Sequence, residues 1–505
     1  MTLKPLRHIK YGEVNSIKTT LSIQNLMETS GVKFGTSGVR GLVSAMTSEL
    51  CFAYTLAFVQ TLNLPLGSRI VIGMDLRPSS SDIVRACASA IKHAGYQAEF
   101  CGALPTPALA YYAQVNAVPA IMVTGSHIPF DRNGIKFYGL CGEITKADEV
   151  NISRAQVGMP AELPLIALPS VSSAAATLYL NRYLEFFPQN CLSGLRLGFY
   201  EHSSVARDIL RTLLEALGAE VISLGRTDEF VPIDTEAVSD IDIQKARDWA
   251  SEYKFDAIFS TDGDADRPLI GDEYGNWLRG DIVGILCAQY LNASAVVTPV
   301  SSNTALELSC AFQKITRTRI GSPYVIAGME ALIADGVERN PPVPSQVVGF
   351  EANGGFLLGS TIRRDTSALS PLMTRDAVLP ILTILAMSIE SNNLVSQLAS
   401  KLPARFTGSG RLQSFPSETS KNIIQQLAHS NVVVEDLLGE LCGVVADLDL
   451  TDGLRIIFQN DEIVHFRASG NAPELRCYAE ANFQQRADFL SQHCLQLLKA
   501  YAFDA

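Results

Sequence analysis

The chain has 505 residues and a net charge of −12 at pH 7, so roughly three to four domains of ordinary size are expected rather than one core. An acidic balance disfavours the nucleic acid backbone and anionic membrane surfaces, both of which reward a basic face, while leaving room for local basic pockets that take small phosphates. The ten cysteines show no C-x-x-C pair or regular spacing, and read as buried small hydrophobes in a reducing compartment, not as a zinc cluster or disulfide framework. The N-terminus has no hydrophobic signal core, and the longest apolar run, 378–389, contains Pro380 and falls short of a membrane span. A cytoplasmic protein is expected.

Residues up to about Gly31 show no clear period and read as an N-terminal extension, 1–32. In Lys33-Phe34-Gly35-Thr36-Ser37-Gly38-Val39-Arg40-Gly41 the glycines free the backbone to approach a ligand, with Arg40 at hand for an anion. A plain turn explains that stretch equally well. A helical run from about Thr47, a strand at 69–75 and a helix at 81–94 stopped by Gly95 open an α/β unit.

The next strand, 120–123, runs directly into Thr124-Gly125-Ser126-His127-Ile128-Pro129. A serine at the carboxyl end of a buried strand stands where open α/β sheets place their chemistry. It is not a hydrolase elbow, which needs G-x-S-x-G. His127 is not assumed to deprotonate Ser126, because sequence neighbours usually diverge. Lys136 sits between apolar residues, an environment expected to depress its pKa and suit it to acid or base work. Taken singly, Ser126 and Lys136 are also ordinary surface polar residues.

The alternation repeats with a strand at 195–200, a helix at 205–217, a strand at 220–224 and a strand at 255–260 that delivers Thr261-Asp262-Gly263-Asp264-Ala265-Asp266-Arg267. Three carboxylates at alternate positions can turn inward on one hard cation if the backbone bends sharply, which Gly263 and Ala265 permit. A calcium helix-loop-helix is disfavoured because the bidentate Glu and the entering helix are missing. A solvated acidic turn is the plain alternative.

A third copy has a strand at 295–300, a helix at 304–311, a strand at 314–320 and a strand ending in Val347-Val348-Gly349-Phe350-Glu351-Ala352-Asn353-Gly354-Gly355. Each copy thus ends in a strand presenting one polar loop. The last portion is α+β, with strands at 452–458, 463–467 and 475–478 and a closing helix at 484–501. Its loop Arg467-Ala468-Ser469-Gly470-Asn471-Ala472-Pro473-Glu474, followed by Arg476, is equally a phosphate cradle or a hairpin.

Together the four loops resemble the α-D-phosphohexomutases, the phosphomannomutases and phosphoglucomutases, from Lys33 to the C-terminus. The family patterns T-A-S-H-N-P, D-G-D-x-D-R, G-E-x-S-G and R-x-S-G-T-E-P appear here in the same order. The resemblance implies an α/β fold: three related α/β domains with mixed sheets (33–172, 173–283 and 284–396) plus a smaller C-terminal α+β domain (397–505) around a central cleft. It implies interconversion of mannose 1-phosphate and mannose 6-phosphate through a phosphoserine and a hexose 1,6-bisphosphate intermediate, which also serves as activator. Ser126 would carry the phosphoryl group. Asp262, Asp264 and Asp266, with Ser126, would hold Mg²⁺, since phosphoryl transfer depends on positioning and charge neutralisation. Arg267 would steady the phosphoserine or sugar, Arg40 would stand among the catalytic residues, and Lys136 with His127 would move the hydroxyl proton. Glu351 and Asn353 would grip sugar hydroxyls, and Arg467, Ser469, Gly470, Asn471 and Arg476 would hold the unreactive phosphate. A phosphosugar is the expected partner, with no nucleic acid or membrane and with the chain a monomer or weak homodimer.

The chain departs from the family at Gly125 and Ile128 (usually Ala and Asn), Phe350 (often Gly), Asn353 (Ser) and Asn471-Ala472 (Thr-Glu). Amide for hydroxyl keeps hydrogen bonding but alters reach, so substrate identity is touched more than chemistry. Glucose and glucosamine phosphates are the alternative substrates; Asn133-Gly134-Ile135-Lys136-Phe137 resembles phosphoglucosamine mutases, whereas Gly354-Gly355 replaces their Gly-His. A sugar-phosphate binder without turnover and a Mg²⁺-dependent phosphatase are the rivals from other classes. Intact Ser126, aspartates and Lys136 oppose the first, and the remote phosphate cradle is superfluous for the second.

Overall fold

The computed structural model describes residues 17–35, 38–338, 346–469 and 474–504. Three sheets repeat one strand pattern. In spatial order the first contains Gln97–Ala103, Arg69–Met74, Ala120–Val123 and Arg132–Gly139; the first three are parallel and the last is antiparallel. The second has Glu220–Leu224, Arg196–Tyr200, Ala257–Thr261 and Pro268–Gly271, and the third Lys314–Thr318, Ala295–Pro299, Val347–Phe350 and Phe356–Leu358, with the same directions. The parallel pairs need helical crossovers that cover the sheet, which is why Ala120–Val123, Ala257–Thr261 and Val347–Phe350 are buried at every position and, apart from Ser260 and Thr261, read as apolar runs.

In each sheet the third and fourth strands form an antiparallel hairpin, and its connection is the loop that carries Ser126, the three aspartates Asp262, Asp264 and Asp266, or Glu351 and Asn353. One topological position therefore presents all three polar loops.

The fourth sheet is wholly antiparallel, in the order Phe406–Leu412, Leu475–Ala481, Ile463–Ala468, Leu454–Phe458 and Val445–Asp449. It shares a separate core with the helices Ser417–Ala428, Asn431–Cys442 and Gln484–Asp504. The first three sheets instead share one apolar cluster, which includes Met122, Phe259, Val348 and the helix Val378–Ser391. That helix is apolar all round because it is buried, and Pro380 lies in its first turn, where no intrahelical donor is lost.

Several local expectations change. The strand Ile17–Ser22 pairs with Gln156–Pro160, and the helix Ile23–Ser30, capped by Ser22, buries Ile23, so this part of the extension is attached to the first domain. The helix expected at 304–311 is one turn, Ala305–Leu308, ended by Cys310 in the left-handed region (φ +50°). Cys141 and Cys310 are exposed and Cys191 is partly so, contrary to the expectation of buried cysteines; the other seven are buried. No helix among the described residues is long and apolar enough to cross a membrane.

Candidate active site

The serine loop is held from below by two residues that motif reading missed. Asp75, at the end of strand Arg69–Met74, accepts hydrogen bonds from Arg77 N and Nε, Ser80 Oγ, Thr124 Oγ1 and Gly125 N. The Arg77 guanidinium then donates to four carbonyls, those of Ser126 (2.9 Å), Ile128 (2.5 Å), Pro129 (2.7 Å) and Arg132 (2.9 Å). Phe230 covers it, with the ring centroid 4.0 Å from Cζ. A Cβ on Gly125 would stand 2.6 Å from this guanidinium, so a larger residue there would have to displace Arg77. So braced, Ser126 keeps a left-handed backbone (φ +51°) that a side chain tolerates only when its surroundings over-determine it. The available signal was the Asp75-x-Arg77 pair directly after an apolar strand.

Ser126 Oγ donates to Asp262 Oδ2 at 2.6 Å, joining the first loop to the second. Ala265 is also left-handed (φ +56°), and Asp262 Oδ1 accepts from Asp266 N and Arg267 N, which closes the acidic turn. One oxygen of each remaining aspartate is saturated: Asp264 Oδ2 by Thr106 Oγ1 and Lys136 Nζ, and Asp266 Oδ2 by Lys136 Nζ and Arg375. The other two, Asp264 Oδ1 and Asp266 Oδ1, are buried with no hydrogen-bond partner. A ligand atom from each of the three carboxylates lies within 4.8 Å of the others. Bare, buried, converging oxygens fit a hard cation. Thr106, at a helix start in the first domain, was not singled out from sequence.

Cations surround this centre. Burial pushes the Lys136 ammonium down, but Asp264 and Asp266 outweigh it and the net direction is upward, so the depressed lysine expected from its apolar neighbours is not found. Buried apolar neighbours in sequence do not reveal acids that arrive from another domain. His127 Nδ1 lies 3.5 Å from Ser126 Oγ, and burial together with Arg267 and Arg40 holds the imidazole well below its usual pKa. Arg40, opposite Gly134 in the sheet, has its guanidinium lowered to about 10 by burial and by Arg267 and Arg375. Arg267 Nε sits 3.6 Å from Asp266 Oδ1 and 3.9 Å from Asp262 Oδ2, buried and without a hydrogen bond. Burial and its two neighbouring aspartates raise Asp262 well above the carboxylate range. Asp266 is held below it because Arg375, Lys136 and Arg267 overcome burial.

The loop of Glu351 and Asn353 joins through Arg375, whose Nη1 is 3.1 Å from Glu351 Oε2. Asn353 Oδ1 accepts from Gly355 N at 2.9 Å, which folds the amide onto its own loop and leaves Nδ2 as its available donor. Arg375 was also missed. Its strand, Leu372–Asp376, is fixed by Asp376, which accepts from Tyr179 Oη (2.6 Å), Tyr183 Oη and Val378 N on helices either side of it. The charged pair Arg375-Asp376 ahead of a long apolar run was the one sequence sign.

The phosphate-loop residues stand apart. Arg467 Nε pairs with Asp452 Oδ2 at 3.0 Å, and the same oxygen accepts from Ile320 N, which ties the fourth domain to the third. Ser469 is buried, with its N donating to Glu474 O, and Arg476 Nη2 is 3.5 Å from Glu474 Oε2. Gly470 and Asn471 lie outside the described residues. Among the described residues, no hydrogen bond or ion pair links Arg467 or Arg476 to the other three loops.

Family models for phosphoglucomutase/phosphomannomutase alpha/beta/alpha domains I, II and III match residues 31–156, 178–275 and 279–406. A phosphomannomutase of Salmonella muenchen is 46% identical over 485 residues, spanning 96% of this chain and 99% of that protein. A phosphomannomutase of Sinorhizobium fredii is 43% identical over 481 residues, spanning 93% and 99%. Among solved structures, a phosphoglucomutase/phosphomannomutase family protein from Burkholderia thailandensis shares the fold, with a TM-score of 0.69 at 18% identity over 92% of this chain and 97% of that one.

Proposed function

Since the chain belongs to the phosphoglucomutase/phosphomannomutase family, an intramolecular phosphotransferase of the isomerase class, we propose that it interconverts mannose 1-phosphate and mannose 6-phosphate through a phosphoserine at Ser126. The observation that carries this reading is the contact of Ser126 Oγ with Asp262 at 2.6 Å, inside a ring of acids and guanidiniums. The identity to two named phosphomannomutases supports mannose as the sugar.

Asp262, Asp264 and Asp266, with the phosphorylated Ser126, would hold Mg²⁺, which neutralises charge on the transferred group when bound. The phosphoryl group leaves Ser126 Oγ for a sugar hydroxyl, and Oγ is restored when the other phosphate of the hexose 1,6-bisphosphate returns to it. Lys136, paired with Asp264 and Asp266, acts with neutral His127, 3.5 Å from Ser126 Oγ, to move the proton of the attacking hydroxyl to the Oγ that the phosphoryl group leaves. Arg40 and Arg267 balance the phosphoserine. Glu351 and Asn353 hold sugar hydroxyls, and Arg467, Ser469 and Arg476, with Gly470 and Asn471, grip the remote phosphate and so orient a small substrate. A catalytic amount of hexose 1,6-bisphosphate serves as activator, and the chain works in the cytoplasm as a monomer or weak homodimer.

The test is phosphorus NMR of the purified protein with Mg²⁺ and a trace of hexose 1,6-bisphosphate, offering mannose, glucose and glucosamine 1-phosphates in separate tubes. Growth of a 6-phosphate signal, fastest with mannose, is the expected result. Inorganic phosphate alone would turn the reading to a phosphatase, and no change with any sugar would turn it to a binding protein.

A further inference from the structure

Beside the sugar loop lies a knot of packing that the transfer chemistry leaves unused. Thr235 Oγ1 donates to Asn353 O at 2.7 Å. Gly280 comes so near that a Cβ there would stand 2.2 Å from Gly354 N and 2.5 Å from Ala352 O. The residues adjoining these two, Glu236 and Arg279, are thereby held at the same loop.

Arg279 Nε is 3.5 Å from Asp281 Oδ1, yet both Nε and Nη2 are buried without a hydrogen bond. Arg476 Nε and Arg267 Nε are in the same condition. A buried donor left unmade costs about 1–3 kcal/mol, so such a set implies a missing acceptor. Glu236 is the carboxylate at hand. Burial and then Asp234 raise its pKa, while Arg279, Arg267 and Arg476 stand near enough to pull against them. Its carboxylate nevertheless makes no hydrogen bond or ion pair with a described residue, so it lies within electrostatic range of the three guanidiniums without closing on any of them.

We propose that Arg279 is a further ligand of the substrate phosphate, completing the clamp of Arg467 and Arg476 from the sugar-loop side, and that Glu236 is the resident counter-charge which the phosphate displaces. This rests on the mutase reading above. A phosphate dianion offers two charges and a face that a guanidinium fork can grip, so it outcompetes a single tethered carboxylate. The competing carboxylate at the same time weakens the hold on inorganic phosphate, which lacks the sugar contacts.

The experiment is calorimetric titration of inorganic phosphate into the full chain as wild type, Arg279→Met and Glu236→Gln, which needs no turnover. Arg279→Met should bind phosphate about tenfold more weakly and Glu236→Gln about threefold more tightly. A merely structural role would weaken binding in both, so the opposite signs are the decisive readout. Unchanged affinity in Arg279→Met, weaker binding in Glu236→Gln, or no phosphate binding by the wild type overturns the assignment. If Arg279→Met does not fold, Glu236→Gln decides alone. Should the expected shifts appear while no hexose phosphate is turned over, the mutase reading fails and the anion site stands.

Discussion

Arg375 grips Asp266 with two donors on one oxygen, Nη2 at 2.8 Å and Nε at 3.2 Å from Oδ2, across the boundary between the third and second sheets. Its remaining arm, Nη1, holds Glu351 at 3.1 Å, so one fully buried side chain sets the Asp266 loop and the Glu351 loop relative to each other. A fork that serves two carboxylates from two domains fixes direction as well as distance.

Arg375→Met should therefore cost about 3–5 kcal/mol of stability, because two buried carboxylates lose their counter-charge. Urea unfolding would measure it. Arg375→Lys should recover only part, since a point charge cannot reach both partners, and full recovery would show that charge alone matters.

Ser126→Ala should lower mutase turnover by roughly a thousandfold or more, because the nucleophile itself is removed. Stability should fall by no more than about 1–2 kcal/mol, the loss of one hydrogen bond to Asp262. Phosphorus NMR and thermal melting check the two halves independently, and near-normal turnover would remove Ser126 from the mechanism.

Asp264→Asn should weaken Mg²⁺ binding by at least about tenfold, since a hard cation is held mainly by charge and Asp264 Oδ1 is one of the two bare oxygens. Metal titration of the purified variant gives the answer. Equal affinity would exclude this loop as the ligand set.

Stability should also depend on pH through buried neutral histidines. His465 accepts burial with its Nε2 on Asp452 O at 2.6 Å, and burial lowers its pKa to about 4; His202, on Thr261 O, is likewise lowered to about 4. Below pH ~6.5 the unfolded chain takes up the proton and the folded one does not. The stability is thus complete above ~6.5 and is lost as the pH falls towards 4, by up to about 3 kcal/mol per histidine. His465→Gln should flatten the slope between pH 7 and 5 in urea melts, and an unchanged slope would show that His465 does not titrate in this window.

Much of the site was legible in the linear chain because each motif is local. Thr261 to Arg267 fold on themselves through the hydrogen bonds of Asp262 Oδ1, and Ser126 ends a strand whose apolar run announces its burial. The residues that were missed act at a distance. Asp75 and Arg77 brace a loop some fifty residues away, Thr106 meets Asp264, and Arg375 meets Asp266, each through contacts that no period or spacing encodes.

The sequence by itself determined the alternation of strands and helices, the three-fold repeat of a strand ending in a polar loop, and the polar residue types that these loops present. These follow from burial periodicity and from short-range backbone needs, which neighbours in the chain satisfy. Only the tertiary structure decided that Lys136 is bound between two aspartates and not depressed, that Arg375 joins the Asp266 and Glu351 loops, and that buried Arg279 donors lack hydrogen bonds within electrostatic range of Glu236. Charge state depends on which groups lie within a few ångströms, and that neighbourhood exists only after separate domains have packed.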